Sequence, residues 1–87
     1  MKIVNDYHWN IDYTKLRRTL RSMASDLDMP MNEFANFTDC PEVTKQIMYD
    51  TKGNVYNDDN HILMRNFLGI CNSLELRPLD FFKVVRQ

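Results

Sequence analysis

The chain has 87 residues, of which 44% are hydrophobic and 26% charged, and its formal net charge is −1. This composition is typical of one globular domain and excludes disordered and fibrous proteins. So small a domain buries only about 60 to 65% of its unfolded surface, so dimerisation would help to stabilise it. No apolar run approaches the roughly 20 residues of a membrane span, and the polar start does not resemble a signal peptide, which predicts a cytoplasmic protein.

The first predicted segment is an N-terminal arm over residues 1–12. Its apolar anchors, Ile3, Val4, Tyr7 and Trp9, are compatible with a short extended strand. Residues 13–82 are predicted to form a helical core and residues 83–87 a C-terminal tail. Together they predict a single domain over residues 1–87.

The first helix is predicted to begin after a cap at Asn10 or Asp12. Apolar residues at helical spacing form its expected inner face: Tyr13, Leu16, Leu20 and Met23. Three arginines are expected to lie largely outside: Arg17, Arg18 and Arg21. The helix therefore predicts a basic outer surface.

Prolines mark the start of the next two predicted helices. Pro30 opens a helix over residues 30–37, and after a short polar turn at residues 38–40, Pro41 opens a third helix. Val43 and Ile47 are expected to face inward in this helix, which should end near Thr51.

A turn at Lys52-Gly53-Asn54 and a polar loop follow, in which residues 57–60 offer several caps for a fourth helix. The inner face of the fourth helix is predicted from four apolar residues: Leu63, Phe67, Ile70 and Leu74. Pro78 then begins a short fifth helix. The order predicts an all-α domain of five helices, with room for short extended segments at the two ends.

Three separated stretches carry a family resemblance. The start of a second helix with an internal apolar-Ala pair is matched by Met29-Pro30-Met31-Asn32-Glu33-Phe34-Ala35. The turn that follows a recognition helix is matched by Lys52-Gly53-Asn54, and the closing helices are matched by residues 63–82. The chain resembles the lambda-repressor-like helix-turn-helix domains of the Cro and repressor type. The resemblance implies a compact five-helix fold that regulates transcription of phage or bacterial genes, with the third helix in the DNA major groove.

The resemblance also implies a set of DNA-binding residues. Base edges would be read by the outward residues of the third helix: Glu42, Lys45, Gln46 and Tyr49. Phosphates would be held by Asn32, Asn36, Thr44 and Lys52, with added attraction from Arg17, Arg18 and Arg21. The alternative for each of these residues is an ordinary solvated helix face.

Charge favours a second interpretation. Residues 1–30 hold five basic and four acidic groups, and residues 61–87 hold four basic and two acidic groups. Residues 31–60, which contain the helix expected to read the bases, hold two basic and six acidic groups and are therefore the acidic part of the chain. Phosphate neutralisation usually leaves a basic footprint. The alternative is a helix-turn-helix fold that binds a protein, as an antirepressor or a host-factor inhibitor, and not DNA.

Catalytic and metal-binding patterns are sparse. His8 and His61 lie far apart, and Cys40 and Cys71 lack metal-ligand spacing and are expected to be free thiols. No phosphate-binding loop or nucleophile motif occurs in the sequence. We therefore predict a protein that is not an enzyme and has no cofactor or metal.

Apolar residues crowd the C-terminal end and predict a homodimer contact. The expected contact residues are Phe81, Phe82, Val84 and Val85. A two-fold dimer would also supply the paired recognition helices that half-site readers need. The alternative is that the two ends cover each other within one subunit, as a two-stranded sheet between residues 2–5 and 83–86.

Overall fold

The computed structural model describes residues 7–86. Its elements are β1 (Tyr7–Ile11), α1 (Tyr13–Asp26), α2 (Met31–Ala35), α3 (Pro41–Tyr49), α4 (Met64–Ser73), a 3₁₀ turn (Pro78–Phe81) and β2 (Phe82–Arg86). Over these residues the protein therefore combines four α-helices with a two-stranded antiparallel sheet. The predicted five-helix all-α fold is wrong.

The terminal sheet explains why the fifth predicted helix stops after one turn. Pro78 does begin a helical turn, but Phe82 already has extended dihedral angles, because the chain from this residue pairs with β1. The register places Trp9 opposite Val84 and Ile11 opposite Phe82. Aromatic and β-branched residues of this kind fit a pleated sheet better than a helix.

The sheet confirms part of the alternative in which the chain ends cover each other. Residues 83–86 do lie in the sheet, but their partner strand is β1. Residues 2–5, the expected partner, lie outside the described part of the chain.

The prediction for α1 is confirmed. Asp12 caps the helix, with its Oδ1 accepting a hydrogen bond of 3.0 Å from the Lys15 backbone N–H. The inner face is buried at Tyr13, Leu16, Leu20 and Ala24, whereas Met23, also predicted to face inward, is half-buried against the core. The helix ends at Asp26, and two residues later Asp28 is left-handed (φ 53°), so that the N–H of Met29 returns to the Ala24 carbonyl at 2.9 Å.

The next two helices differ in length from the prediction. The second helix forms over Met31–Ala35 and α3 ends at Tyr49, so both are shorter than expected. On α3, Ile47 is buried as predicted and Val43 packs half-buried against the core. The predicted turn after α3 is confirmed, because Gly53 takes the left-handed conformation (φ 68°).

The predicted capping of the fourth helix by residues 57–60 is wrong. The helix begins at Met64 after an extended Leu63 that makes no side-chain cap. Asn57 instead closes its own loop, since its Oδ1 accepts hydrogen bonds from the backbone N–H groups of Asp59 and Asn60 at 2.9 and 3.0 Å. The local side-chain bonds therefore compete with capping.

One core lies between α1, α2, α3 and α4. Its largest fully buried side chains are Phe34, Phe67, Leu16, Leu20, Met48, Ile70, Thr44 and Cys71. The sheet contributes Ile11, and the 3₁₀ turn contributes Phe81. None of the helices described over residues 7–86 is long and apolar enough to cross a membrane.

Candidate nucleic-acid interface

A pair of buried threonines holds α2 and α3 together. The hydroxyls of Thr38 and Thr44 lie 2.7 Å apart, and each also reaches a backbone carbonyl, Thr38 that of Ala35 at 2.8 Å and Thr44 that of Cys40 at 3.0 Å. Polar groups in a core are stabilising only when paired in this way. Thr44 is therefore a structural residue of the turn, and its predicted phosphate contact is wrong because its side chain is fully buried.

The outward face of α3 contains the four residues predicted to read bases. Glu42, Gln46 and Tyr49 are exposed, and Lys45 is half-exposed. Lys45 Nζ lies 3.6 Å from Glu42 Oε1, so the two charges form a surface ion pair one turn apart. Such pairs contribute little to stability and can open at small cost.

A tyrosine from the following loop orients Gln46. The hydroxyl of Tyr56 donates to Gln46 Oε1 at 3.0 Å. This bond fixes the amide with its NH₂ group free to donate elsewhere. Tyr56 stacks in turn on Tyr13 of α1, with ring centroids 6.0 Å apart. Sequence patterns missed Tyr56, because no spacing rule connects a loop residue to a helix surface.

Asp50 shapes the loop that carries Tyr56. Its Oδ1 accepts the N–H of Asn54 at 2.7 Å, and its Oδ2 accepts those of Val55 and Tyr56 at 2.7 and 3.3 Å. Desolvation raises the pKa of Asp50, but the three N–H donors and the nearby Arg17 charge outweigh it and hold the pKa below its usual value. The conformation of the loop is therefore stabilised by the charged form of Asp50.

Basic side chains border α3 on one side. Arg17 Nη1 donates to the Asp50 carbonyl at 2.9 Å, and Arg17 shares with exposed Lys52 a cleft of about 370 Å³ between α1 and residues 51–59. Lys83 also lines this cleft, where it pairs with Asp58 at 3.2 Å. The cleft therefore brings together three cations, Arg17, Lys52 and Lys83, that are far apart in the sequence.

The remaining predicted contacts lie around α2. Arg21, one turn after Arg17, lines a second cleft beside residues 28–31, where α2 begins. Asn32 and Asn36 are exposed at the two ends of α2, and Arg18 is exposed on α1. The flank of α1 with Arg17 and Arg21 therefore borders both helices of the pair.

The residues predicted for the dimer contact separate into different environments. Phe81 is only 3% exposed and belongs to the core, so its predicted contact with a partner is wrong. Phe82 is half-buried against Phe67, with ring centroids 5.5 Å apart. Val84 is exposed, opposite Trp9, which is 67% exposed. The side chain of Val85 lies outside the described residues.

Both cysteines are free thiols. Burial raises the pKa of Cys71 to about 11, and burial also raises the pKa of Cys40. A thiol with a raised pKa is protonated and a poor nucleophile at neutral pH. Within residues 7–86, no three His, Cys, Asp or Glu side chains group in a way that could hold a metal ion.

Comparison with known proteins gives no match to a family model, a curated protein or a solved structure. The resemblance to lambda-repressor-like domains therefore rests on the sequence pattern alone. The terminal sheet also departs from the all-helical domain that this resemblance implies.

Proposed function

We propose that the protein is a cytoplasmic, sequence-specific DNA-binding regulator of phage or bacterial type, acting as a dimeric repressor. The observation that carries the proposal is the division of α3. One side of this helix is fixed in the core by Thr44, Ile47 and Met48, while the other presents polar and aromatic side chains to solvent. A rigid helix with a free polar face is what a major groove accommodates.

The exposed side chains suit base recognition. Gln46 can donate its free NH₂ to base acceptors, Lys45 can donate to guanine, and Glu42 can accept from cytosine. Tyr49, 53% exposed at the end of α3, adds an aromatic contact surface. The hydrogen bond from Tyr56 holds the Gln46 side chain in one orientation before DNA binds, which lowers the side-chain conformational entropy lost on binding.

Phosphate contacts are assigned to the cations beside the helix pair. Arg17, Arg21 and Lys52 border α3 and α2, and the exposed amides of Asn32 and Asn36 can donate to phosphate oxygens. These groups would fix the register of α3 on the duplex without reading sequence.

The acidic middle segment is less repulsive to DNA than its sequence suggests. Of its six carboxylates, Glu42 pairs with Lys45, Asp50 is taken up by backbone donors, and Asp58 pairs with Lys83. Lys45 already belongs to this segment, so the added compensation comes from Lys83 beside Asp58 and from Arg17 near Asp50, which reduce the segment's effect on phosphates.

Dimerisation is assigned to the exposed apolar surface of the terminal sheet. Trp9, Leu79 and Phe82 line one shallow apolar depression, and Val84 is the cross-strand partner of Trp9. Exposed apolar surface of this kind marks an interface. Two copies joined there would present two α3 helices to a two-fold operator.

The test is binding to DNA fragments from the region beside the protein's own gene, measured at two salt concentrations. We expect selective binding that weakens with salt, and a salt slope that falls by about 1 when Lys52 is changed to Ala. Arg77→Ala, which removes an exposed cation before the 3₁₀ turn, is the matched control and should leave the slope unchanged. A Lys45→Ala, Gln46→Ala double variant that binds the fragment with unchanged affinity would remove α3 from the interface.

The second candidate is an antirepressor or host-factor inhibitor that binds protein and not DNA. It is favoured by the Glu42–Lys45 ion pair, which leaves the outward face of α3 with no net charge from these two residues. Failure to bind any fragment at low salt, where phosphate attraction is strongest, would favour this candidate.

A further inference from the structure

An apolar groove lies away from α3. It is lined by Met23 and Leu27 of α1 and its end, Phe34 and Phe37 of α2 and the turn after it, and Ser73, Leu74 and Glu75 at the end of α4. Its volume is about 320 Å³, and its two rim side chains Leu27 and Phe37 are 59% and 63% exposed. Large apolar side chains left open around a concave surface indicate a binding site more strongly than single exposed residues do.

The groove has an acidic border. Glu75 lines it directly. The Asp39 backbone N–H donates to Ser73 Oγ at 3.0 Å, but the Asp39 carboxylate lies beside Gly69, one turn earlier on α4. Asp26 precedes Leu27 and lies on the α1 flank beyond Met23. Among the described residues that line the groove there is no lysine or arginine.

The groove and the α3 face use different sides of α1. Asp26 is nine residues after Arg17, which turns it by roughly 180° around a helix of about 100° per residue. Residues of α3 take no part in lining the groove over the described chain. A molecule in the groove would therefore leave the α3 face open.

The backbone adds a detail at the acidic border. Glu75 follows the last turn of α4 in the left-handed region (φ 57°), and the N–H of Leu76 returns to the Cys71 carbonyl at 2.8 Å. Glycine is the usual residue at this position of a helix end. The chain instead has a carboxylate there, beside the groove, at a cost in backbone strain.

We propose that this groove binds an amphipathic helix of a partner protein, with apolar residues on one face and lysine or arginine beside them. The apolar face would fill the space between Leu27, Phe37 and Leu74, and the basic residues would meet Glu75, the carboxylate that lines the groove. Charge complementarity selects a basic helix over an acidic one. The proposal is independent of DNA binding, because it uses none of the α3 residues.

The test uses two labelled synthetic helices that share leucines at i, i+3, i+4 and i+7. One has lysines at the flanking positions and the other has glutamates. Titration of the full chain, followed by fluorescence anisotropy at two salt concentrations, should give saturable binding of the basic helix, at least about tenfold tighter than that of the acidic one. Phe37→Ser and Leu27→Ser should each weaken the basic helix about tenfold or more.

Matched controls distinguish binding in the groove from nonspecific binding to exposed apolar side chains. Leu63→Ser removes a leucine of similar exposure (58%) that precedes α4 and does not line the groove, and it should leave binding unchanged. Glu75→Gln should weaken the basic helix at low salt and have less effect at high salt. Unchanged melting temperatures will show that these surface variants fold.

Four results would overturn the proposal. Binding of the acidic helix with equal affinity would remove the charge argument, and an equal loss with Leu63→Ser would show that binding is not specific to the groove. No saturable binding of the basic helix would exclude this class of partner. A dimer that sediments as a monomer when Phe37 is changed to Ser would identify a second copy of the chain as the occupant.

Discussion

The α3 face and the apolar groove share one core but expose opposite chemistry. On α3, Thr44, Ile47 and Met48 are buried and the outward side chains other than Tyr49 are polar, so little aliphatic surface is left for a protein partner. At the groove Leu27 and Phe37 remain exposed beside the Glu75 carboxylate. Net charge and composition average over these two regions and therefore conceal both.

The contrast arises mainly because side chains at different angles around α1 face different regions of the surface. The same helix, α1, supplies Arg17 to one side and Asp26 to the other, with its apolar residues between them. A near-neutral chain can thus have a basic border for an anionic partner and an acidic border for a cationic one. Variants that act on one region and spare the other test this division.

The largest expected effect comes from a pair of phenylalanines only three residues apart. Phe34→Ala should lower the free energy of unfolding by about 3 to 5 kcal/mol, because Phe34 is fully buried under both regions. Phe37→Ala should change it by no more than about 0.5 kcal/mol, because that ring is mostly in solvent. Urea unfolding measures both. Similar losses from the two variants would mean that the ring of Phe37 is packed and the groove is closed.

The second prediction separates the two sides of α3. Thr44→Val keeps the shape of the side chain but removes the buried bonds to Thr38 and the Cys40 carbonyl, which should cost about 1 to 3 kcal/mol of stability. Gln46→Ala should leave stability nearly unchanged and lose about 1 to 3 kcal/mol of discrimination at one base position. Thermal unfolding and competition binding measure the two effects. A Thr44→Val protein as stable as the wild type would show that the hydroxyl pair does not hold the turn.

Sequence patterns predicted the approximate positions of the four α-helices because those signals are local. The cap at Asp12, the inner face of α1 and the glycine turn at Gly53 each depend on neighbours within a few residues. The family resemblance implies a phosphate contact for Thr44, and the burial of its hydroxyl depends on its partner Thr38, which no local pattern identifies.

The terminal sheet and the groove depend on distant parts of the chain. The pairing of Trp9 with Val84 joins two short strands at opposite ends of the sequence, and no hairpin turn connects them that would predict the pairing. The groove exists because the ends of α1 and α4 meet near Phe37. Helical spacing shows which residues share a face of one helix, but not which helix ends will meet.

The third prediction concerns the loop that orients Gln46. Asp50→Ala removes the acceptor for three backbone N–H groups and should cost about 1 to 2 kcal/mol at neutral pH. Because the pKa of Asp50 is lowered in the folded state, this stability is present above the unfolded pKa of about 3.9 and is lost as the pH falls through the folded value. Unfolding curves of the two proteins between pH 7 and about pH 2 should converge at the acid end. A constant difference across this range would assign the loss to packing and not to the charge.

The smallest expected effect is a gain in stability on the groove side. Glu75→Gly should raise the free energy of unfolding by about 0.5 to 1 kcal/mol, because glycine adopts the left-handed conformation without the clash that a Cβ causes. Glu75→Ala is the matched control: it removes the same charge but keeps the Cβ, so it should give no such gain. Both variants should weaken the basic helix at low salt to a similar extent, because both remove the carboxylate. If Glu75→Gly is less stable than the wild type, the carboxylate stabilises the folded chain by itself, and the strain at this position needs no partner to explain it.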